Sequence, residues 1–69
     1  MQTIDARGLS CPEPVLRVQN ALKQDAAGVE ILVDKMACVE NIRRFAAARG
    51  YALDTEASGQ EYRMRLTKA

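Results

Sequence analysis

Two alternating runs near the C-terminal end constrain the fold most. Residues 60–68 place Tyr62, Met64 and Leu66 one way and Glu61, Arg63 and Arg65 the other, while residues 51–57 place Tyr51, Leu53 and Thr55 on one face. A period of two is the signature of strands with one buried face. Ser58-Gly59 lies between the two runs and predicts a tight hairpin. The chain must therefore build an antiparallel sheet and find something to cover its apolar side.

The cover is expected from two upstream stretches with helical spacing. From Pro12 onward, Val15, Val18, Ala21 and Leu22 recur at intervals of three and four, with Leu16 off that face and near the surface. A second helix is expected over about 38–49, with Val39, Ile42, Phe45 and Ala46 as its stripe. Gly50 suits the position just past its end, and Arg49 complements the negative end of the helix dipole. Residues 29–34, Val-Glu-Ile-Leu-Val-Asp, form a β-branched strand with Val29, Ile31 and Val33 on one side. Residues 2–6 are a weaker strand, residues 7–10 a turn, and residues 35–37 a loop.

The expected fold class is thus α/β (α+β): a β-α-β-α-β-β two-layer sandwich with both helices on one face of a mixed four-stranded sheet. Right-handed crossovers make the first two strands parallel. Both helix N-termini then open at the same end of the sheet. The far face, with Glu30, Arg63 and Arg65, is expected to be solvated.

Composition narrows the function. At 69 residues the chain is expected to be one domain, 1–69, with a modest core. Ten Lys plus Arg against nine Asp plus Glu, net +1, does not suggest a nucleic-acid binder. Aromatic residues for base stacking are scarce, with only Phe45, Tyr51 and Tyr62. His is absent, which removes the commonest general base and most zinc sites. No apolar run is long enough to span a bilayer, and no secretory leader pattern opens the chain, so a cytoplasmic location is expected. In that reducing compartment Cys11 and Cys38 are expected as thiols.

The segment Asp5-Ala6-Arg7-Gly8-Leu9-Ser10-Cys11-Pro12-Glu13-Pro14 carries the chemistry. It reads as a helix start with Cys11 at the N-cap, Pro12 as the first helical residue and Pro14 as the third. Proline is tolerated there because those N–H groups lack intrahelical acceptors. The rings stiffen the turn and leave the Glu13 N–H as the first-turn donor that can reach the sulfur. A thiol at a helix N-terminus is biased toward thiolate. Arg7 would add to this if the turn folds it back, and Glu13 would oppose it. Against this stands the plainer reading that free Cys is among the most buried residue types and is usually packing. The residues alone leave both readings open.

The run Asp5-x-Arg7-Gly8-Leu9-x-Cys11-Pro12-x-Pro14, followed by Val15-Leu16, resembles the signature of the TusA family of sulfur-carrier proteins, which includes SirA-like and YedF-like members. The resemblance extends over the Asp34-containing loop, Glu40-Asn41-Ile42 and Arg49-Gly50-Tyr51. It implies a carrier that accepts sulfane sulfur on Cys11 as a persulfide. The donor would be a protein such as a cysteine desulfurase or rhodanese, and the sulfur passes on to an acceptor protein. Pro12 and Pro14 shape the turn, Gly8 allows it, and Arg7 and Glu13 are candidates for tuning or docking. No metal or organic cofactor is implied, nor a nucleic-acid or membrane partner. A monomer with transient complexes is expected.

Cys38 is a second thiol at the start of the second helix. It is either a small side chain at a helix start or a group that resolves a Cys11 persulfide. A bridge between the two requires Cα atoms within about 7 Å, which facing helices reach only where their starts converge. Met36 and Leu16 either rim Cys11 or belong to core or plain surface. Competing functions are a non-catalytic interaction module of the same fold, selenium handling by the same nucleophile, and thiol–disulfide redox, which no Cys-x-x-Cys pair supports.

Overall fold

The computed structural model describes residues 2–10 and 13–68. The elements run β1 (Gln2–Asp5), α1 (Glu13–Gln24), β2 (Gly28–Val33), α2 (Met36–Arg49), β3 (Tyr51–Ser58) and β4 (Glu61–Lys68). They form one four-stranded sheet of order β1-β2-β4-β3. β1 and β2 are parallel; β4 is antiparallel to both β2 and β3. The expected β-α-β-α-β-β sandwich is the observed fold.

Alternation sorts the sheet residues. Val29, Ile31 and Val33 of β2 and Met64 and Leu66 of β4 are fully buried beneath the helices. α1 packs on β1 and β2 and contributes Val18, Ala21 and Leu22; α2 packs on β3 and β4 and contributes Val39, Ile42 and Ala46. Leu16 faces out, 45% exposed, as its place off the stripe requires. Pro14 is fully buried, so it belongs to the packed face as well as to the stiffened turn. On the solvent side the register lines up Thr3, Glu30, Arg65 and Asp54 across all four strands. Glu30 accepts hydrogen bonds from Thr3 Oγ1 (3.3 Å) and Arg65 Nη2 (2.9 Å) in that row. The Arg65 hydrogen bond lowers the Glu30 pKa, and Glu30 in turn raises that of Arg65.

Strand ends shift from expectation by single residues, and two differences have a clear physical cause. α2 begins at Met36, two residues early, so Met36 and Ala37 are helical instead of loop. No side chain caps it; the Lys35 carbonyl accepts from the N–H groups of Cys38 (3.1 Å) and Val39 (3.2 Å). A helix opened by a backbone carbonyl leaves no cap residue to read. The hairpin turn is Gly59-Gln60, since Ser58 pairs with Glu61. Gly59 has φ 63°, and among the described residues no non-glycine residue has positive φ. That suits a two-residue turn needing a left-handed conformation only at its first position.

Candidate functional site

Three connections meet at one end of the sheet. The register Asp5↔Leu32 sets the C-terminal ends of β1 and β2 side by side, and Tyr62↔Val33 brings the start of β4 to the same level. The β1–α1 segment, the start of α2 and the β3–β4 turn therefore cluster. Both helix N-termini open at this end of the sheet, as expected. Cys11 and Pro12 lie outside the described residues, and the segments flanking them define the site.

On the upstream side, Ala6 is buried and its N–H extends the ladder to the Leu32 carbonyl (2.9 Å). The Leu9 N–H then donates to the Ala6 carbonyl (3.3 Å), closing a β-turn over Arg7 and Gly8. Gly8 has φ 80°. A type II turn demands that conformation at its third residue, and glycine adopts it without penalty. The Gly8 N–H donates to Asp34 Oδ2 (3.0 Å), which ties the turn to the chain leaving β2. Downstream, the Glu13 N–H donates to the Ser10 carbonyl at 2.9 Å. The donor expected to reach the sulfur is thus engaged by backbone.

Arg7 is held by two carboxylates. Its Nε and Nη2 grip Asp5 Oδ1 and Oδ2 at 2.8 Å each, and its Nη1 reaches both Glu61 oxygens at 3.2 and 3.3 Å. Hydrogen bonds from the Arg7 side chain, then from its backbone, push the Asp5 pKa down to about 2, and Asp5 foremost raises that of Arg7. This bidentate clamp braces the turn against β1 and β4. Glu13 is exposed and pairs loosely with Arg17 at 3.8 Å.

Cys38, in the first turn of α2, is 1% exposed and lies on the same stripe as Ile42. It is disulfide-bonded, so the expectation of a thiol does not hold for it. Its place in the first turn puts it at the shared end of the sheet, and its side chain joins the buried core there. Met36, one turn away from Val39 on the outer side, is 52% exposed; with Leu16 it makes up the exposed large hydrophobics among the described residues. Both sit in the first turn of their helices at this end.

The role of Asp34 escaped the sequence reading. Its hydrogen bond to Gly8 spans 26 positions, which no local pattern reveals. Among the described residues no group of three or more His, Cys, Asp or Glu side chains is arranged to hold a metal ion. Among them too, no helix is long and apolar enough to cross a membrane.

A family model described as "Sulfurtransferase TusA" matches residues 2–68. The chain belongs to the TusA family. A Methanocaldococcus jannaschii protein named "Putative sulfur carrier protein MJ0990" is 38% identical over 55 residues, covering 77% of this chain and 73% of the relative. The crystal structure of a SirA-like protein from Desulfitobacterium hafniense superposes with a TM-score of 0.87 at 34% identity. It covers 97% of this chain and 96% of that one. The TusA match spans every element that builds the site end.

Proposed function

We propose that this TusA-family protein is a sulfur carrier, acting in the cytoplasm as a single unit over residues 1–69, and that Cys11 bears the sulfur. The family match over residues 2–68 carries the reading. The clustering of the flanking turn, Asp34 and the α2 start supports it. A donor protein presents a persulfide; the Cys11 thiolate attacks its outer sulfur, forming Cys11–S–SH and releasing the donor's thiolate. An acceptor's thiolate then attacks the same outer sulfur and Cys11 leaves as thiolate. The exposed Leu16 and Met36 side chains offer partner proteins an apolar rim. Specificity then comes from docking, with no enclosed substrate pocket needed.

Cys38 enters this proposal because it is disulfide-bonded. As a thiolate it can attack the inner sulfur of a persulfide on Cys11, forming a disulfide and releasing hydrosulfide, which would discharge a carrier that meets no acceptor. Intact mass after incubation of reduced protein with a persulfide donor tests both steps. The wild type should gain one sulfur atom and Cys11→Ser none, while Cys38→Ser should gain it and hold it longer. A sulfur adduct on Cys11→Ser, or none on Cys38→Ser, would overturn the carrier reading. Equal lifetimes of the adduct in wild type and Cys38→Ser would remove the resolving step.

A further inference from the structure

Asp34 follows the last residue of β2 and precedes α2, and its two carboxylate oxygens lead different lives. Oδ2 accepts the Gly8 N–H at 3.0 Å. Among the described residues this is the only hydrogen bond joining the backbone of residues 7–10 to the β2–α2 connection. Oδ1 is buried and has no hydrogen-bond partner. The Lys35 ammonium stands 3.9 Å from it, within ion-pair range but too far to donate. A buried acceptor without a donor is a local cost, and such departures concentrate where function demands a particular geometry. An uncharged acceptor of the same shape would hold Gly8 as well.

We propose that Asp34 is the positioning residue of the sulfur site: by gripping the Gly8 backbone it fixes the turn three residues ahead of Cys11 in the geometry that sulfur transfer requires. This rests on Cys11 being the carrier residue. Gly8 is the natural handle. Its φ of 80° turns the chain, and a Cβ there would meet nothing within 4 Å, so Gly8 itself is placed by conformation and by this tie, while Leu9 beside it packs on the core. Without the tie, the described anchors of residues 7–10 are the turn's own Leu9–Ala6 bond, the Arg7 N–H and side chain on Asp5, the Ser10 carbonyl and the packing of Leu9, none of which reaches the β2–α2 connection. Attack on a persulfide sulfur is in-line and sensitive to placement, so a loosened turn slows transfer without removing the nucleophile.

The test compares wild type, Asp34→Ala and Asp34→Asn, each reduced and given glutathione persulfide. Sulfur uptake on Cys11 is followed by intact mass, and the Gly8 amide by hydrogen exchange. Asp34→Ala should slow uptake about tenfold or more and deprotect the Gly8 amide, with the amides of β2 and β4 unchanged. Asp34→Asn, which keeps an oxygen acceptor, should restore both to within about threefold. Uptake by Asp34→Ala at the wild-type rate overturns the proposal. So does Asp34→Asn uptake as slow as that of Asp34→Ala, which would assign the effect to charge. If Asp34→Ala fails to fold, a Gly8 amide that exchanges in the wild type like an unprotected one overturns it instead. No uptake by wild type overturns the carrier function together with this proposal, whereas normal wild-type uptake with an unimpaired Asp34→Ala overturns this proposal alone.

Discussion

The end of the sheet where both helices open and the open face of the same sheet are both polar, yet they are polar in different ways. On the open face charge meets charge across strands: Glu30 with Arg65, and Arg63 registered against Glu56. Arg65 is half exposed while Glu30 is largely covered by its neighbours, and pairs open to water on one side contribute little. At the site end, side chains bind backbone or brace a turn: Asp34 holds the Gly8 N–H, and Arg7 is locked between Asp5 and Glu61. The first arrangement keeps a surface soluble. The second fixes where a piece of irregular chain goes, which is what a nucleophile on a loop requires.

The contrast breaks if open-face variants affect sulfur handling. Cys11→Ser should abolish sulfur uptake, whereas Arg65→Ala and Glu30→Gln should leave uptake at the wild-type rate and the melting temperature within about 3 °C. Loss of uptake in either open-face variant would show that the sheet surface takes part. Next in size, Met36→Glu or Leu16→Glu should leave uptake from glutathione persulfide unchanged. Each should slow exchange with a protein donor about tenfold, the loss expected when a charge is placed in a docking rim. Equal rates with the protein donor would remove these two residues from the interface.

Smaller effects sharpen the comparison. Gly8→Ala should lower stability by about 1–2 kcal/mol, because the left-handed conformation is strained for any residue with a Cβ although space for one exists. Thermal unfolding measures this, and an unchanged melting temperature would mean that the turn can relax. Smallest is the titration of Asp5. With its pKa held at about 2, its bond to Arg7 stabilises the fold above the unfolded-state value near 4 and is lost as pH falls toward 2. NMR titration should find a midpoint near 2 in wild type and near 4 in Arg7→Gln. A midpoint near 4 in wild type would dissolve the clamp.

Much of the fold was legible because periodicity reports burial directly. Tyr62, Met64 and Leu66 announced β4, and Val18, Ala21 and Leu22 the inner side of α1. The start of α2 was not legible, because a backbone carbonyl opens it. The site was legible only as a local string. Gly8 betrayed a turn, but its anchor at Asp34 and the Arg7–Glu61 pair join residues 26 and 54 positions apart, and nothing near either residue signals the other. For Arg7 the sequence left its partners open. Its short, bidentate hold on Asp5 is a matter of side-chain reach across a turn, which spacing alone does not determine.

The sheet order also governs how the protein comes into being. β4, the last strand made, occupies an interior place between β2 and β3 and supplies the fully buried Met64 and Leu66. A nascent chain lacking residues 61–68 can pair β1 with β2 but leaves β2 and β3 without their shared neighbour. The sheet can therefore be completed only after residues 61–68 have emerged, and a ribosome that stalls before then presents unfinished sheet edges to the cell's quality control.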